Sequence, residues 1–241
     1  AGDYTGPDSW TFDKAVSISA SDGTTWASTT GEPLEWTGGE DQVSISSFTF
    51  TSQLSITDGN WSLSRIVMDN IPGRALSLFN VTASLNEPSF SNIVAHSETL
   101  NGDGIFIEGG TVDITGGTFS TFDDRAIVVV STVLTVEDAV LSDSPRPLIS
   151  ALEGSDVTAT NVETSMSEIG LFSSFSNLTV INCTIHDSNY GILVGPGHLE
   201  VSGSDFENCP YNHIALLGTN GSAVIENNTM EDAPDEACIS I

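Results

Sequence analysis

The stretch NLTVINCTIHDSNYGILV, residues 177–194, decides the fold of this chain. Its apolar residues come in three short bursts, centred on Val180, Ile185 and Ile192, and no burst is long enough for a helix. The bursts lie five and then seven residues apart, and the same pattern recurs on both sides of the stretch. Such a repeat dictates the architecture, because each unit must bury its apolar face against its neighbours.

The repeat extends through eight units, most of them about 22 residues long. The first burst falls at Leu63, Leu85, Ile114, Val136, Ala159, Val180, Val201 and Ile225. The second falls five residues later in every unit, at Met68, Phe90, Phe119, Leu141, Thr164, Ile185, Phe206 and Met230. The third falls at Leu76, Ile105, Ile127, Ile149, Leu171, Ile192, Ile214 and Ile239.

Within a burst the apolar residues alternate with other residues, as in Ile192 and Val194 or Ile214 and Leu216. Alternation is typical of a strand with one buried face. Three strands per repeat predict an all-β coil in which each strand pairs with its counterpart one turn later. This is a parallel β-helix with three strands per rung and rungs about 4.8 Å apart.

The residue two positions after the first burst is suited to a tight bend. Its occupants are Gly116, Asp138, Asn161, Asn182, Gly203 and Asn227. All three residue types enter the left-handed backbone conformation at low cost. Arg65 and Glu87 occupy the first two units instead, so we expect those units to turn differently.

A second polar column follows the second burst. Its members are Asp69, Asn92, Thr121, Asp143, Asp187, Asn208 and Asp232. Side-chain hydrogen bonds that initiate turns account for residues of this kind. Carboxylates stacked on successive rungs repel, however, and Ca²⁺ bound by oxygen ligands would relieve that repulsion. Asp187, Asn208 and Asp232 are the candidate calcium ligands.

Charge restricts the range of partners. The chain has 33 acidic and 5 basic residues and a net charge of −28. Nucleic acid is excluded as a partner, because binding phosphates requires basic groups. So much negative charge needs screening by concentrated salt or divalent cations, which favours a halophilic setting. No stretch reaches the roughly 20 apolar residues of a membrane span.

Asn-x-Ser/Thr sequons suggest an extracellular or cell-surface glycoprotein. Two of the six, Asn182 and Asn227, belong to the turn column, where a glycan would block stacking. The predicted glycosylation sites are Asn60, Asn80, Asn177 and Asn220.

The two ends of the chain differ from its middle. All four tryptophans, Trp10, Trp26, Trp36 and Trp61, precede the clear repeat, which predicts an N-terminal cap over residues 1–42 and the β-helix over 43–241. Packing in the cap or stacking on carbohydrate would each account for these rings. The sequence ends within a strand, so we expect the helix to continue beyond Ile241 or to be capped by another chain.

The repeat from Leu63 to Ile241 resembles the right-handed parallel β-helix of the pectin-lyase-like superfamily. Two motifs, NGDGIFI (101–107) and FDDRAIV (122–128), lie one rung apart and are similar to the catalytic motifs of polygalacturonases. The resemblance implies Asp103, Asp123 and Asp124 as the acid and the water-activating base. For a lyase, it implies Arg125 or Arg146 as the base beside a calcium-binding carboxylate cluster.

The chain departs from the polygalacturonase pattern. Arg125 stands where the second aspartate should align, and DSPRPLI (143–149) replaces the Gly-His-Gly motif. Between Phe90 and Ile105 the chain is longer than in other units, so SNIVAHSETLNGDG is predicted to form a loop. This loop would bring His96, Glu98, Asn101 and Asp103 next to residues 123–125.

Three functional hypotheses remain. The first is a non-catalytic structural or adhesive module of an extracellular assembly, binding other copies of itself or other surface proteins and similar to β-helix surface proteins of archaea and bacteria. The second is a polysaccharide lyase or hydrolase acting through Asp103, Asp123, Asp124, Arg125 and His96. The third is a carbohydrate-binding fibre module.

Overall fold

The computed structural model describes residues 3–5, 8–21, 24–28, 30, 32–95, 102–218, 221–232 and 238–240. These residues form 28 strands and no helix. The strands pair in parallel along three ladders, named here ladders 1, 2 and 3 after the three bursts, and the coil makes about 10 turns. The predicted parallel β-helix is confirmed.

The strands of ladder 1 are β3 (Val16–Ser19), β6 (Gln42–Ser46), β9 (Asn60–Ser64), the second halves of β11 (Leu76–Asn86) and β13 (Ile105–Thr115), β16 (Val133–Glu137), β19 (Asp156–Thr160), β21 (Ser176–Ile181), β23 (Gly197–Ser202) and β26 (Ser222–Glu226).

Ladder 2 consists of β1 (Asp3–Thr5), β4 (Thr25–Ala27), β7 (Thr49–Phe50), β10 (Val67–Asp69), β12 (Ser89–Ile93), β14 (Thr118–Phe122), β17 (Val140–Ser144), the first halves of β20 (Glu163–Ser174) and β22 (Thr184–Val194), β24 (Asp205–Glu207) and β27 (Thr229–Glu231).

Ladder 3 consists of β2 (Ser9–Phe12), β5 (Leu34–Gly38), β8 (Leu54–Thr57), the first halves of β11 and β13, β15 (Ile127–Val130), β18 (Ile149–Leu152), the second halves of β20 and β22, β25 (Asn212–Leu216) and β28 (Ile239–Ser240).

The register of the ladders follows the three bursts. Val180 pairs with Ala159 on one side and with Val201 on the other, and all three side chains are buried. Successive residues of the second and third bursts pair in the same way. Like residues therefore stack inside the coil, as with Phe90 and Phe119, whose rings lie 5.4 Å apart and within 8° of parallel.

Each corner of the coil has a column of residues with positive φ. At the corner between ladders 1 and 2, the predicted turn residues from Gly116 to Asn227 all adopt this conformation. The prediction that Arg65 and Glu87 turn differently is wrong, because both have φ of 50°. Ladder pairing fixes the corner geometry for every rung, whichever residue occupies it.

Two features of these columns explain individual residues. The Oδ1 atom of Asn182 lies where a Cβ on Gly203 would stand, so a side chain at Gly203 would require the Asn182 amide to move. At the corner between ladders 2 and 3, Asn70 rather than Asp69 has positive φ. Asp69 belongs to β10 and pairs with Ser91.

Parallel pairing also runs through the region predicted as a cap, since β1, β2 and β3 pair with β4, β5 and β6. Trp26, Trp36 and Trp61 are at most 2% exposed, and the rings of Trp36 and Trp61 stack 6.1 Å apart. Buried rings cannot stack on carbohydrate, so these three tryptophans serve packing. The division of the chain at residue 42 stays a prediction.

We expect Glu87→Asn to raise the free energy of unfolding by about 1 kcal/mol, because asparagine tolerates the left-handed conformation better than glutamate. Glu137→Asn is the control, since it removes the same charge from an ordinary strand position. Chemical denaturation of both variants measures the difference. Equal effects would attribute the gain to charge and contradict the explanation from backbone conformation.

Candidate functional site

The candidate site lies at the corner between ladders 2 and 3. Arg74, Asp103 and Arg125 each stand two residues before a ladder 3 strand, on three successive rungs. Asp124, Arg146 and Glu168 each stand three residues before a residue of the third burst, namely Ile127, Ile149 and Leu171. Asp124 is on the same rung as Arg125, and Arg146 and Glu168 are on the two rungs that follow. We call these six residues the charge cluster. It contains three of the five basic residues of the chain.

Asp103 is at the centre of the charge cluster and its side chain is 0% exposed. Arg74 Nε donates a hydrogen bond of 3.2 Å to its Oδ2 atom. Arg125 Nε lies 3.3 Å from its Oδ1 atom. That Nε–H group is not directed at the oxygen, so the second contact is an ion pair without a hydrogen bond. Asp103 therefore has a guanidinium group on the rung before it and another on the rung after it.

Burial raises the pKa of the Asp103 carboxyl, against the lowering effect of the Arg125 and Arg74 charges. Arg74 is fixed in turn by the ring of Phe106, since its guanidinium carbon lies 3.8 Å from the ring centroid. This cation–π contact and the two arginines enclose the carboxylate. The enclosed carboxylate is out of contact with solvent in this conformation, which favours a structural role for Asp103, and its catalytic role stays a prediction.

The outer part of the charge cluster is more accessible. Arg125 Nη2 donates to Asp124 Oδ2 at 3.3 Å, and Arg146 Nε lies 4.0 Å from Asp124 Oδ1. Arg146 Nη1 lies 3.9 Å from Glu168 Oε2, and the Arg146 side chain is 64% exposed. Pairs as exposed as these contribute at most about 1 kcal/mol each.

A groove of about 280 Å³ opens beside Arg146. Asp124, Arg125 and Arg146 line one part of it, and Ser150 and Phe172 line another. It combines two guanidinium groups, the Asp124 carboxylate and an aromatic ring, and Ser150 is 1% exposed. Both guanidinium groups pair with carboxylates of the charge cluster, so a ligand with an acidic group would compete with Asp124 and Glu168 for them.

Asp123, the third aspartate implied by the resemblance, has a different contact. Its Oδ2 atom accepts a hydrogen bond of 2.9 Å from the backbone N–H of Ala95. It thereby fixes the chain just before residues 96–101. Asp123 is exposed but lies outside the salt bridges of the charge cluster.

The structure contradicts the predicted loop SNIVAHSETLNGDG at both of its ends. Residues 91–93 belong to β12, Ile93 is buried, and Asp103 is buried at the base of ladder 3. The prediction that these residues leave the coil is therefore wrong. His96, Glu98 and Asn101 lie outside the described residues.

The candidate calcium ligands lie at the same corner, further along the coil. Asp187 Oδ1 accepts a 2.5 Å hydrogen bond from the Asn208 amide, and Asp187 Oδ2 lies 2.9 Å from His186 Nδ1. These hydrogen bonds lower the pKa of Asp187. Asp232 occupies the same turn column with φ of 56°. Within the described ranges, no group of three or more His, Cys, Asp or Glu residues is placed to bind a metal.

Three carboxylates of the second polar column, Asp69, Asp143 and Asp187, accept hydrogen bonds from the adjoining rung. Asn92 donates to Asp69, Thr121 to Asp143, and Asn208 to Asp187. The repulsion for which calcium was predicted is thus relieved at these positions by hydrogen bonds. Calcium binding itself stays a prediction.

Three of the four predicted glycosylation sites, Asn60, Asn80 and Asn177, lie along another corner, between ladders 3 and 1. Asn80 and Asn177 are exposed, and Asn60 is half-buried with its Nδ2 atom donating to the Glu40 carbonyl at 2.7 Å. Asn60 and Asn177 occupy the same column of ladder 1, several rungs apart. Asn220 is outside the described residues.

Sequence reasoning missed Arg74 and Glu168. Arg74 stands two residues before Leu76, the position that Asp103 and Arg125 occupy before Ile105 and Ile127. Aligning the rungs in the sequence therefore places Arg74, Asp103 and Arg125 in one column. The alternation of charge along that column indicates that Arg74 belongs to the cluster.

We expect Asp103→Asn to lower the free energy of unfolding by about 3–5 kcal/mol, since it leaves two guanidinium groups facing an amide in a buried site. Asp123→Asn, which weakens one exposed hydrogen bond, should lower it by about 1 kcal/mol or less. Urea denaturation of both variants compares them. Similar losses would contradict the structural role assigned to Asp103.

His186 should make stability depend on pH. Partial burial lowers the pKa of His186, but hydrogen bonds to Asp187 and Glu163 and the charges of both carboxylates outweigh it, so the pKa is raised above 6.5. The imidazolium then contributes stability that is fully present below pH 6.5 and is lost as the pH rises through the folded-state pKa.

The melting temperature of the native chain, relative to that of His186→Gln, should accordingly show a decrease as the pH rises from 5.5 to 8.5. Glu163→Gln should reduce it in part, because it removes one of two acceptors. Thermal unfolding across this pH range measures the effect. The same pH dependence in all three proteins would refute the contribution of His186.

Comparison with known proteins places the fold. A scan against protein families matches residues 54–230 to the family described as right handed beta helix region. No curated protein sequence matches. Among the described residues, no helix has the length and apolar character to cross a membrane.

Two solved structures are similar in fold. The A-module of the mannuronan C-5 epimerase AlgE4 of Azotobacter vinelandii is 9% identical, with 95% of this chain and 90% of that chain covered and a TM-score of 0.41. Pectate lyase Pel9A is 11% identical, with 97% and 70% covered and a TM-score of 0.28. Neither similarity is close enough to carry a function. On the family match over most of its length, the chain belongs to the right-handed β-helix family.

Proposed function

We propose that this chain is a rigid structural or adhesive module of an extracellular or cell-surface assembly. The observation that carries the proposal is the state of Asp103. The carboxylate that resemblance implied as a catalytic acid is completely buried and is paired with Arg74 and Arg125. Its chemistry serves the stability of the coil.

Rigidity is the property that such a module requires. About 10 turns with three parallel ladders give a rod of roughly 50 Å, at about 4.8 Å per turn. The interior is filled along this length, from the tryptophans of the first rungs to Phe206. A continuous core and continuous ladders resist bending, which favours a load-bearing or spacing role.

The outer surface supports the extracellular setting. The net charge of −28 is carried almost entirely by exposed carboxylates, which concentrated salt or divalent cations such as Ca²⁺ would screen. The partners that fit the proposal are other copies of the chain or other surface proteins. Glycans at exposed sequons would add to the hydrophilic surface.

A second candidate function is binding or cleavage of an acidic polysaccharide. The observation that favours it is the groove beside Arg146, where two guanidinium groups, Ser150 and Phe172 meet. In a chain with so few cations, two arginines at one groove form a local site for an acidic sugar. Asp124 would be the accessible carboxylate for chemistry there.

One experiment separates the two candidates. The purified chain is incubated with polygalacturonate and with alginate in low and high salt, and new chain ends are measured. We expect no turnover, together with ordered filaments or layers in electron micrographs at high salt. Turnover that disappears in Asp124→Asn would overturn the structural proposal.

A separate pair of variants tests whether the groove binds an acidic polysaccharide without cleaving it. Arg146→Gln and Arg65→Gln each remove one positive charge, but Arg65 lies at the corner between ladders 1 and 2, away from the groove. Binding that is lost only in Arg146→Gln would support the carbohydrate-binding module. Equal effects would indicate nonspecific electrostatics.

A further inference from the structure

Phe175 is exposed to an unusual degree. Its side chain is 69% exposed, the largest value among the exposed large apolar residues that the structure describes. It follows β20 directly, at the corner between ladders 3 and 1. Within the described chain, no aromatic ring contacts its ring.

The backbone at Phe175 is also unfavourable for a bulky residue. Its φ is 53°, and the corresponding residue on each of the five preceding rungs also has positive φ. The corresponding residues on earlier rungs are Asp58, Asn80, Gly109, Ser131 and Glu153. All of these are polar or glycine, which suit an exposed left-handed turn. A phenylalanine here has an unfavourable backbone conformation and a solvent-exposed ring. A ligand that covered this ring would remove apolar surface from water.

The sequon at Asn177 lies beside this ring. Ser176, between Phe175 and Asn177, is 3% exposed, so the residues on either side of it project outward together. Asn177 is exposed, and Thr179, which completes the sequon, is half-buried on the same outer face. The ring, the acceptor amide and the hydroxyl therefore share one side of the chain.

The other described sequons differ from this one. Asn60 donates its Nδ2 atom to the Glu40 carbonyl, while the Oδ1 atoms of Asn80 and Asn182 pack over Gly109 and Gly203. Asn177 forms no side-chain hydrogen bond with any residue that the structure describes. Among all six sequons, Asn177 alone has an aromatic residue two positions earlier.

A groove of about 420 Å³ adjoins Phe175 and Asn177. Pro196, one rung further along, forms its opposite wall, and Gly154 and Gly197 leave it without side chains at two positions. A Cβ at Gly154 would meet nothing within 4 Å. The volume falls within the range of small-molecule sites. Its apolar walls and polar edge match the two faces of a pyranose ring.

We propose that Asn177 is N-glycosylated and that the first hexopyranose of the glycan stacks its C–H face on the ring of Phe175. The inference rests on the proposed extracellular role, because sugar transfer requires a secretory route. The donor is a lipid-linked glycosyl phosphate. Asn177 Nδ2 gives up a proton to a carboxylate of the glycosyltransferase and bonds to the anomeric carbon of the sugar, while the bond from that carbon to the phosphate oxygen breaks and the lipid phosphate leaves as an anion.

The test uses the full chain secreted by a glycosylating host. Peptide mapping gives the occupancy of each sequon, and thermal unfolding gives the contribution of the glycan. Thr179→Ala removes the sequon at Asn177. Phe175→Ser removes the ring, and Met166→Ser is its matched control, because Met166 is 56% exposed, has φ of 53° and lies at another corner.

We expect Asn177 to be occupied in the native chain and less occupied in Phe175→Ser, with Met166→Ser unchanged. Loss of the glycan through Thr179→Ala should lower the melting temperature by about 2–4 °C when Phe175 is present. In the Phe175→Ser background the same change should have little effect. Phe175→Leu, which keeps apolar volume without a ring face, should behave like Phe175→Ser.

Two results would overturn the proposal. One is an unmodified Asn177 in a secreted chain whose Asn60 or Asn80 is glycosylated, which would leave Phe175 to a protein partner. The other is an equal thermal effect of the glycan with and without the ring. Polysaccharide turnover by the chain would sink the proposed structural function alone and would leave this inference intact.

Discussion

Parallel pairing along the coil is the constraint on which the rest of the structure depends. Each residue lies directly above its counterpart one turn earlier, about 4.8 Å away. Whatever property a column has, it repeats at that spacing. Apolar columns gain from this, as the stacked rings of the ladder pair Phe90 and Phe119 show. Charged columns do not, because like charges at that distance repel.

The chain avoids repulsion between stacked carboxylates in one way at buried positions and in another way at exposed corners. Where a carboxylate is buried, at Asp103, its column alternates in sign with Arg74 and Arg125 on the adjoining rungs. At exposed corners the adjoining rung supplies a neutral donor, as Asn161 does for Asp138 and Asn208 for Asp187. So acidic a chain can therefore stack its turns with few basic residues. Those that it has are concentrated where burial makes charge most expensive.

The fold was predictable because a parallel ladder copies its pattern into the sequence. Val180 and Val201 are 21 residues apart and form a ladder pair, and every other pair of the three bursts follows the same logic. Turn conformation was less predictable, because pairing imposes positive φ on Arg65 and Glu87 against their preference. Residue type reports what a corner prefers, whereas the neighbouring rungs decide what it adopts.

The candidate site was predictable as a place but not as a set of contacts. The pairing of Ile105 with Ile127 put Asp103 and Asp124 on neighbouring rungs, as expected. Whether Asp103 would face solvent depended on Arg74, from the rung before, and on the ring of Phe106 beside it. Motif matching compares residues along the chain. The environment of a side chain in a solenoid is set by residues one turn away.

The corners also divide the surface between different tasks. The charge cluster occupies the corner between ladders 2 and 3, and Asn60, Asn80, Asn177 and Phe175 follow the corner between ladders 3 and 1. Both corners flank ladder 3. A glycan at Asn177 would therefore stand beside ladders 3 and 1 and leave the face of ladder 2 uncovered. If the chain assembles with copies of itself, as proposed, ladder 2 is the face that a glycan at Asn177 leaves free for lateral packing.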